Sequence, residues 1–340
     1  MMHIVILEIT LGPHTRKGKE FVTVHIGIKV PNWGPLAGPD ALARVARAAE
    51  QRGFGSVWVS DHIVMPGRPP EAYPYSETAK PPFDSSTAFI DPFVTLSYLA
   101  AVTTRVQLAT GVLVLPLRQP IVTAKQAASL DVLSGGRLIL GIGAGWMQEE
   151  FALLDQGWGD RGRRTDLAMR TMRACWGPYP SALPDGGPSI GIAPPPTQGR
   201  RLPILVGGHS SAAISRAVRL GDGWYASNVS GAQFKDLAAE VRRVQQSTSP
   251  GRELLVGVRP RVVAAVEARS VVQELSAAGA DFVVLDADFA NMSCEQAVEW
   301  VERCADELPA ELAADLGAQP LVSSRDWGAG TDQPAAGAGE

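Results

Sequence analysis

Three short stretches of the chain hold residues whose types and spacing could do chemistry. Asp61-His62 follows the apolar run SVWVS and sets a proton-transfer side chain beside a carboxylate. Gly207-Gly208-His209-Ser210-Ser211 follows PILV, and small residues with a hydroxyl at the start of a helix form an anion site. Between them, residues 133–151 read LSGGRLILGIGAGWMQEEF, with Gly141, Gly143 and Gly145 at alternate positions before Trp146, Glu149 and Glu150. Glycine packs nothing in a strand and loses the most entropy on folding, so three together need a reason. A dinucleotide turn requires G-x-G-x-x-G. Counted from Gly141 the third glycine falls on Trp146, and from Gly143 on Gln148, so the spacing excludes it. No G-x-x-x-x-G-K-[ST] phosphate loop is present either. What remains is a surface of small residues that a flat aromatic cofactor could approach, with backbone N–H groups to bond it.

Such residues act together only if the fold brings them to one place. Apolar, β-branched runs recur at 26–31, 56–61, 106–115, 138–144, 203–208, 222–227, 254–260 and 281–287. Most are apolar on both parities, as strands buried on both faces are. Helical segments separate them. Asp40 reads as the cap of one, Asp91-Pro92 opens another, and Gly53 and Gly221 close two. Eight strands alternating with helices predict a (β/α)8 TIM barrel, with an insertion between strands 4 and 5. That insertion, residues 177–199, holds seven prolines and five glycines. In such a barrel the C-terminal strand ends carry the chemistry. They would gather Asn32-Trp33, Asp61-His62, Gly111, Gly143 to Trp146, Gly207 to Ser211, and Trp224-Tyr225. The loop 63–88, rich in proline and aromatic residues, is the candidate lid, and Lys125, Asp131 and Arg137 are expected to form ion pairs at the barrel base.

Composition narrows the function classes. The chain has 340 residues, 45% hydrophobic, and a formal net charge of −4. It carries no basic footprint for nucleic acid and no apolar run near the ~20 residues of a membrane span. Cys175, Cys294 and Cys304 are scattered, consistent with reduced thiols in the cytoplasm. Of the five histidines only His62 and His209 fall at strand C-termini, too few for most metal hydrolases, so no metal is expected. The expected organisation is an N-terminal appendage over 1–22, a barrel over 23–308, and a disordered tail over 309–340.

The segments SVWVSDH (56–62), 91–151, RGRRTD (161–166) and PILVGGHSSAAISRAVRLGDGWYAS (203–227) resemble the luciferase-like monooxygenase superfamily, and within it the actinobacterial branch that uses the deazaflavin coenzyme F420. The resemblance runs from about His25 to about Leu285 and implies a (β/α)8 barrel. It implies that His62 is an active-site histidine beside the ring. It also implies that Gly111-Val112 is a non-prolyl cis peptide backing the ring, and that Gly207, Gly208, His209 and Ser210 hold the phosphate side of the cofactor. Trp146 stands where a related sugar-phosphate dehydrogenase has a proton-donating glutamate, Pro66 replaces its tryptophan, and Leu167 stands where the family often has glutamate. No cluster of lysines and arginines for a sugar phosphate is legible after strands 7 and 8.

The expected function is therefore an F420-dependent oxidoreductase that transfers hydride between the deazaflavin and a small organic substrate at the barrel mouth. His62 would be catalytic. Asp61, Gly111, Val112, Gly143, Gly145, Trp146, Gly207, Gly208, His209 and Ser210 would bind the cofactor, with Trp224 shaping the pocket and Arg118 near the cofactor's acidic tail. The alternative is an FMN-dependent two-component monooxygenase on the same barrel. A metal-dependent barrel hydrolase and a non-catalytic F420 carrier are the readings from other classes. Asp61 as a partner of an arginine, His62 as a solvated loop residue, and the tryptophans as packing are the plain structural readings. Family members are commonly dimers, so a homodimer is expected, with no nucleic-acid or membrane partner.

Overall fold

The computed structural model describes residues 24–68, 73–74, 81–308 and 321. Eight parallel strands form a closed barrel: β1 His25–Lys29, β2 Ser56–Val59, β3 in two segments Gln107–Thr110 and Leu113–Val114, β4 Leu138–Gly143, β5 Ile204–Gly207, β6 Gly223–Ser227, β7 Leu255–Arg259 and β8 Phe282–Leu285. Each strand pairs in parallel with the next, and β8 closes on β1 with Ile26 opposite Val283. The break in β3 is a cis peptide at Gly111-Val112, where the resemblance placed one.

The helices are α1 Pro39–Gln51, α2 Pro92–Val102, α3 Pro120–Leu133, α4 Gln148–Leu153, α5 Arg161–Cys175, α6 Ser211–Leu220, α7 Gly231–Thr248, α8 Ala268–Ala277 and α9 Cys294–Glu307. Proline opens α1, α2 and α3, where its missing N–H costs nothing. Asp91 caps α2 by accepting from the N–H groups of Phe93 and Val94. Asp40 does not cap α1. Gly38 holds that position, and Asp40 lies inside the first turn, where its charge still suits the helix dipole. Among the described residues no helix is long and apolar enough to cross a membrane.

The strands are apolar on both parities because each faces two cores. Val57, Val59 and Trp224 point outward to the helix layer, while Trp58, Ala109, Ile139, Leu205, Tyr225, Phe282 and Val284 fill the barrel. Inside, the Trp58 ring stacks on Tyr225 at 5.2 Å and on Phe282 at 5.7 Å. Trp224 is thus no part of the mouth. Strand alternation turns it outward onto Phe234, and its indole N–H donates to Gly208 O at 2.8 Å.

The insertion 177–199 stays at the bottom of the barrel. It is pinned by Lys125 Nζ donating to Ala193 O at 2.6 Å, and by Gln198 bonding Asp131 and Leu138 O at the start of β4. Among the described residues Lys125, Asp131 and Arg137 do not form the expected ion pairs. Arg137 donates to the carbonyls of Ala100, Thr103, Val106 and Ser134, closing the end of α2 against β3. The expected appendage 1–22 and tail 309–340 lie outside the described residues, apart from Leu321, whose N–H donates to Gln107 Oε1 at the foot of β3.

His25 also sits at the bottom, with Nε2 3.0 Å from Ser56 Oγ. Burial pulls its pKa down to about 4. The unfolded chain takes up that proton near pH 6.5, so stability falls as pH drops from 6.5 to 4. His25→Gln is expected to remove up to about 3 kcal/mol of that loss. Urea unfolding across this pH range, variant against parent, checks it.

Candidate active site

At the C-terminal mouth lies a cleft that opens to solvent. Its floor is Gly111 and Val112, and Tyr225 lies directly beneath, with its hydroxyl 3.1 Å from where a Gly111 Cβ would stand. One wall is aromatic: Trp33, Tyr73, Phe83, Phe89 and Trp146. Lys29, Ser227 and Arg259 also line the cleft, with Lys29 Nζ beside the Trp33 ring.

His62 enters from the end of β2 and stands in the aromatic wall, its ring 5.2 Å from Phe89, 5.3 Å from Phe83 and 5.8 Å from Trp146. Its approach is fixed from below by Asn32, which is fully buried. The Asn32 amide donates to Ser60 O at 2.8 Å and to Ile90 O at 3.1 Å, and accepts from Ser60 N at 2.9 Å. From the side it is fixed by Glu150, 2% exposed on the short helix α4. Glu150 Oε2 accepts from His62 Nδ1 at 2.9 Å, and Oε1 accepts from the N–H groups of Ile63 at 2.7 Å and Val64 at 3.3 Å. A carboxylate only accepts, so this contact places the neutral ring's proton on Nδ1 and leaves Nε2 without one. Sequence reasoning took Glu150 only as part of a helix start. Nothing in QEEF marks which glutamate turns inward, and the one visible signal was the loss of an acid at position 146.

Asp61 lines the cavity, but both its oxygens are engaged by protein. Oδ2 accepts from Val114 N at 2.9 Å, and Oδ1 from Arg118 at 2.7 Å. Arg118 also reaches Asp91 at 3.1 Å, so the expectation that it meets a cofactor tail is replaced by a role between two carboxylates. Burial pushes the Asp61 carboxyl above its usual range, against the opposing pull of Arg118.

The glycines expected to make room for a ring make room for β3 instead. A Cβ on Gly143 would lie 2.7 Å from one methyl of Val112, and a Cβ on Gly207 2.8 Å from the other. Val112 is therefore seated between two strands that lack side chains at its level. Gly145 has φ +84° and is closed by Phe151 and Val114. Gly143, Gly145, Gly207, Gly208, His209 and Ser210 do not line the cleft, whereas Asp61, His62, Gly111, Val112 and Trp146 do. Of the residues that do not line it, Ser210 caps α6, and His209 Nε2 accepts from the N–H of Ser227 at 3.2 Å. Burial lowers the His209 pKa, in keeping with that acceptor role.

Two cations that the reading of the loops after strands 7 and 8 did not consider meet at the mouth. Lys29 ends β1, Arg259 ends β7 and Asp286 follows β8, so three neighbouring strand ends bring them together. Lys29 Nζ lies 3.4 Å from both Asp286 oxygens, and Arg259 bonds the same carboxylate. Lys29 is hidden from sequence reasoning because it sits inside an apolar strand run. Burial draws its pKa down to about 8, partly offset by Asp286. Among the described residues no group of His, Cys, Asp and Glu is placed to hold a metal ion.

Residues 21–319 match the luciferase-like monooxygenase family, and the chain belongs to it. An uncharacterised protein of Mycobacterium tuberculosis is 36% identical over 212 residues, 61% of this chain and 73% of that one. An F420-dependent glucose-6-phosphate dehydrogenase of Kineococcus radiotolerans is 40% identical over 116 residues, 34% of this chain and 30% of the enzyme. An FMNH2-dependent dimethylsulfone monooxygenase of Pseudomonas putida is 29% identical over 195 residues, 54% of this chain and 53% of the enzyme. Two solved structures share the fold at a TM-score of 0.65. The coenzyme F420-dependent tetrahydromethanopterin reductase of Methanopyrus kandleri is 14% identical, over 85% of this chain and 99% of its own. A monooxygenase of Streptomyces bottropensis is 20% identical, over 84% and 98%.

The Glu150 contact makes a specific forecast. In Glu150→Gln the amide oxygen is claimed by the Ile63 and Val64 N–H groups, so the NH2 group faces His62 Nδ1 and reverses the tautomer. The fold is expected to hold, with 15N NMR showing the proton moved to Nε2. Turnover is expected to fall by about 10²-fold or more.

Proposed function

We propose that the chain is an F420-dependent oxidoreductase acting on a small organic substrate at the barrel mouth, with His62 as its proton-transfer residue. The observation that carries this is the buried Glu150 carboxylate holding His62 in one tautomer inside an aromatic cleft. A histidine that merely packed in a loop would not need a fully buried carboxylate to fix it. The Gly111-Val112 floor and the Trp146 edge suit a flat ring, and the phosphate side would extend out of the cleft toward the N–H groups at the start of α6, which Ser210 caps. When bound, reduced F420 supplies a hydride, two electrons and one proton's worth of hydrogen, to an electrophilic carbon. The balancing proton on the neighbouring substrate atom would pass through His62 Nε2. In the opposite direction the same nitrogen would take the proton from an alcohol. Trp33, Phe83 and Phe89 exclude water from this point and receive the apolar part of the substrate.

The local identity to an F420-dependent dehydrogenase supports F420, whereas the FMNH2-dependent relative supports the alternative of an FMN-dependent monooxygenase. We further place the catalytic unit at residues 23–308 and the working form in the cytoplasm as a homodimer, by analogy with the family.

Titration of the purified chain with F420 and with FMN, followed by ring fluorescence, separates the two cofactors. F420 is expected to bind at least about tenfold tighter, a difference of about 1.4 kcal/mol. Tighter binding of FMN overturns the assignment. With the preferred cofactor, His62→Asn is expected to lower turnover about 10²- to 10⁴-fold while cofactor affinity stays within about threefold. Unchanged turnover removes His62 from the chemistry.

A further inference from the structure

The two sides of the cleft differ in charge. On the β2–β4 side stand the carboxylates of Asp61 and Glu150, with Arg118 shared between Asp61 and Asp91. On the other side two cations, Lys29 and Arg259, share the single carboxylate of Asp286. These side chains are almost out of water: Lys29 is 6% exposed, Asp286 10% and Arg259 11%. Arg261, the next cation along, is already matched by Asp288 at 2.9 Å. One positive charge is therefore unmatched in a place where water screens it poorly, an arrangement that is costly unless something completes it.

Two further groups are incomplete at the same place. Arg259 Nε is buried with no hydrogen-bond partner among the described residues, and the Tyr225 hydroxyl stands beside Arg259 and Ser227 without a well-formed hydrogen bond. Both flank the cleft, Arg259 in its wall and Tyr225 beneath its floor. A buried guanidinium N–H is rarely left unpaired without a reason, and here it lacks an acceptor. Lys29 Nζ also lies 5.0 Å from the Trp33 ring centroid, so the cationic side runs directly into the aromatic wall.

We propose that Lys29 and Arg259 bind the carboxylate of the substrate, and that its apolar body lies along Trp33, Phe83 and Phe89 toward His62. The substrate class is then an organic acid with an apolar body. A planar carboxylate matches the guanidinium fork and supplies the missing acceptor, and it neutralises the charge that Asp286 leaves over. This rests on the cleft being the reaction site proposed above.

The test uses the full chain, alone and with saturating F420 or FMN. Hexanoate, trans-cinnamate and phenylpyruvate are titrated against their uncharged amides, read by calorimetry and by the fluorescence of the cleft tryptophans. At least one acid is expected to bind about tenfold or more tighter than its amide. Lys29→Met and Arg259→Met are each expected to bring that ratio close to one. Lys29→Met should also raise the Tm of the ligand-free protein, because the unmatched charge is gone. Asp286→Asn keeps both cations and should tighten acid binding several-fold, which guards against a loss caused by misfolding alone.

The proposal is overturned if no acid is preferred over its amide, or if the preference survives Lys29→Met. It is also overturned if Lys29→Met weakens F420 or FMN binding about tenfold while acid binding is unmoved, since the charge then serves an anionic edge of the cofactor. The acid–amide comparison in cofactor-free protein does not depend on the cofactor titration, so failure of this proposal and failure of the functional reading are told apart.

Discussion

A carboxylate taken out of water must find donors for its oxygens, and at Glu150 that demand organises the barrel mouth. Its three donors all belong to the chain just after β2, namely the His62 ring and the N–H groups of Ile63 and Val64. Glu150 itself sits on α4, just after β4. One side chain thus ties two loops across the mouth and orients the one histidine among the described residues that line the cleft. Asp61, one residue before His62, makes the corresponding tie to the second half of β3 through Val114 and Arg118. Because the two carboxylates flank one histidine, neither loop can shift without leaving a buried charge short of partners. The position of His62 is set by electrostatic necessity more than by close packing.

Much of the fold was legible because its causes are periodic. Strands buried on both faces leave continuous apolar runs, and prolines at helix starts punctuate them, so all eight strands could be placed. The site was legible only where chemistry sits at a strand end: His62, Gly111-Val112 and Trp146 reach the cleft. What was missed has a physical reason in each case. Glu150 is distinguished from Glu149 only by which way a six-residue helix faces. Lys29 lies in an apolar strand, and its partners arrive from β7 and β8, more than two hundred residues away. The glycines were misread because small residues leave the same trace in sequence whether they admit a ligand or a neighbouring strand. Trp224 was misplaced because a run that is apolar on both parities hides which parity faces inward.

The cleft is chemically uneven, and that unevenness orders its parts. Neutral rings line the face around His62, a buried proton-fixing carboxylate stands behind that face, and an excess positive charge adjoins its Trp33 end. A molecule with one charged and one apolar end has only one comfortable orientation in such a field. Orientation of the reacting carbon toward His62 would then follow from the ends of the molecule, without any group that grips the carbon itself.

The seat of Val112 has a consequence for how such a barrel can change over time. A side chain at Gly143 or Gly207 would meet the methyl groups of Val112. The floor is therefore closed to mutational drift. The aromatic wall is not so constrained, because Trp33, Phe83, Phe89 and Trp146 come from three different loops and are partly exposed. Diversification of substrate range, by evolution or in a designed library, is channelled to those four positions, while the machinery beneath them stays the same.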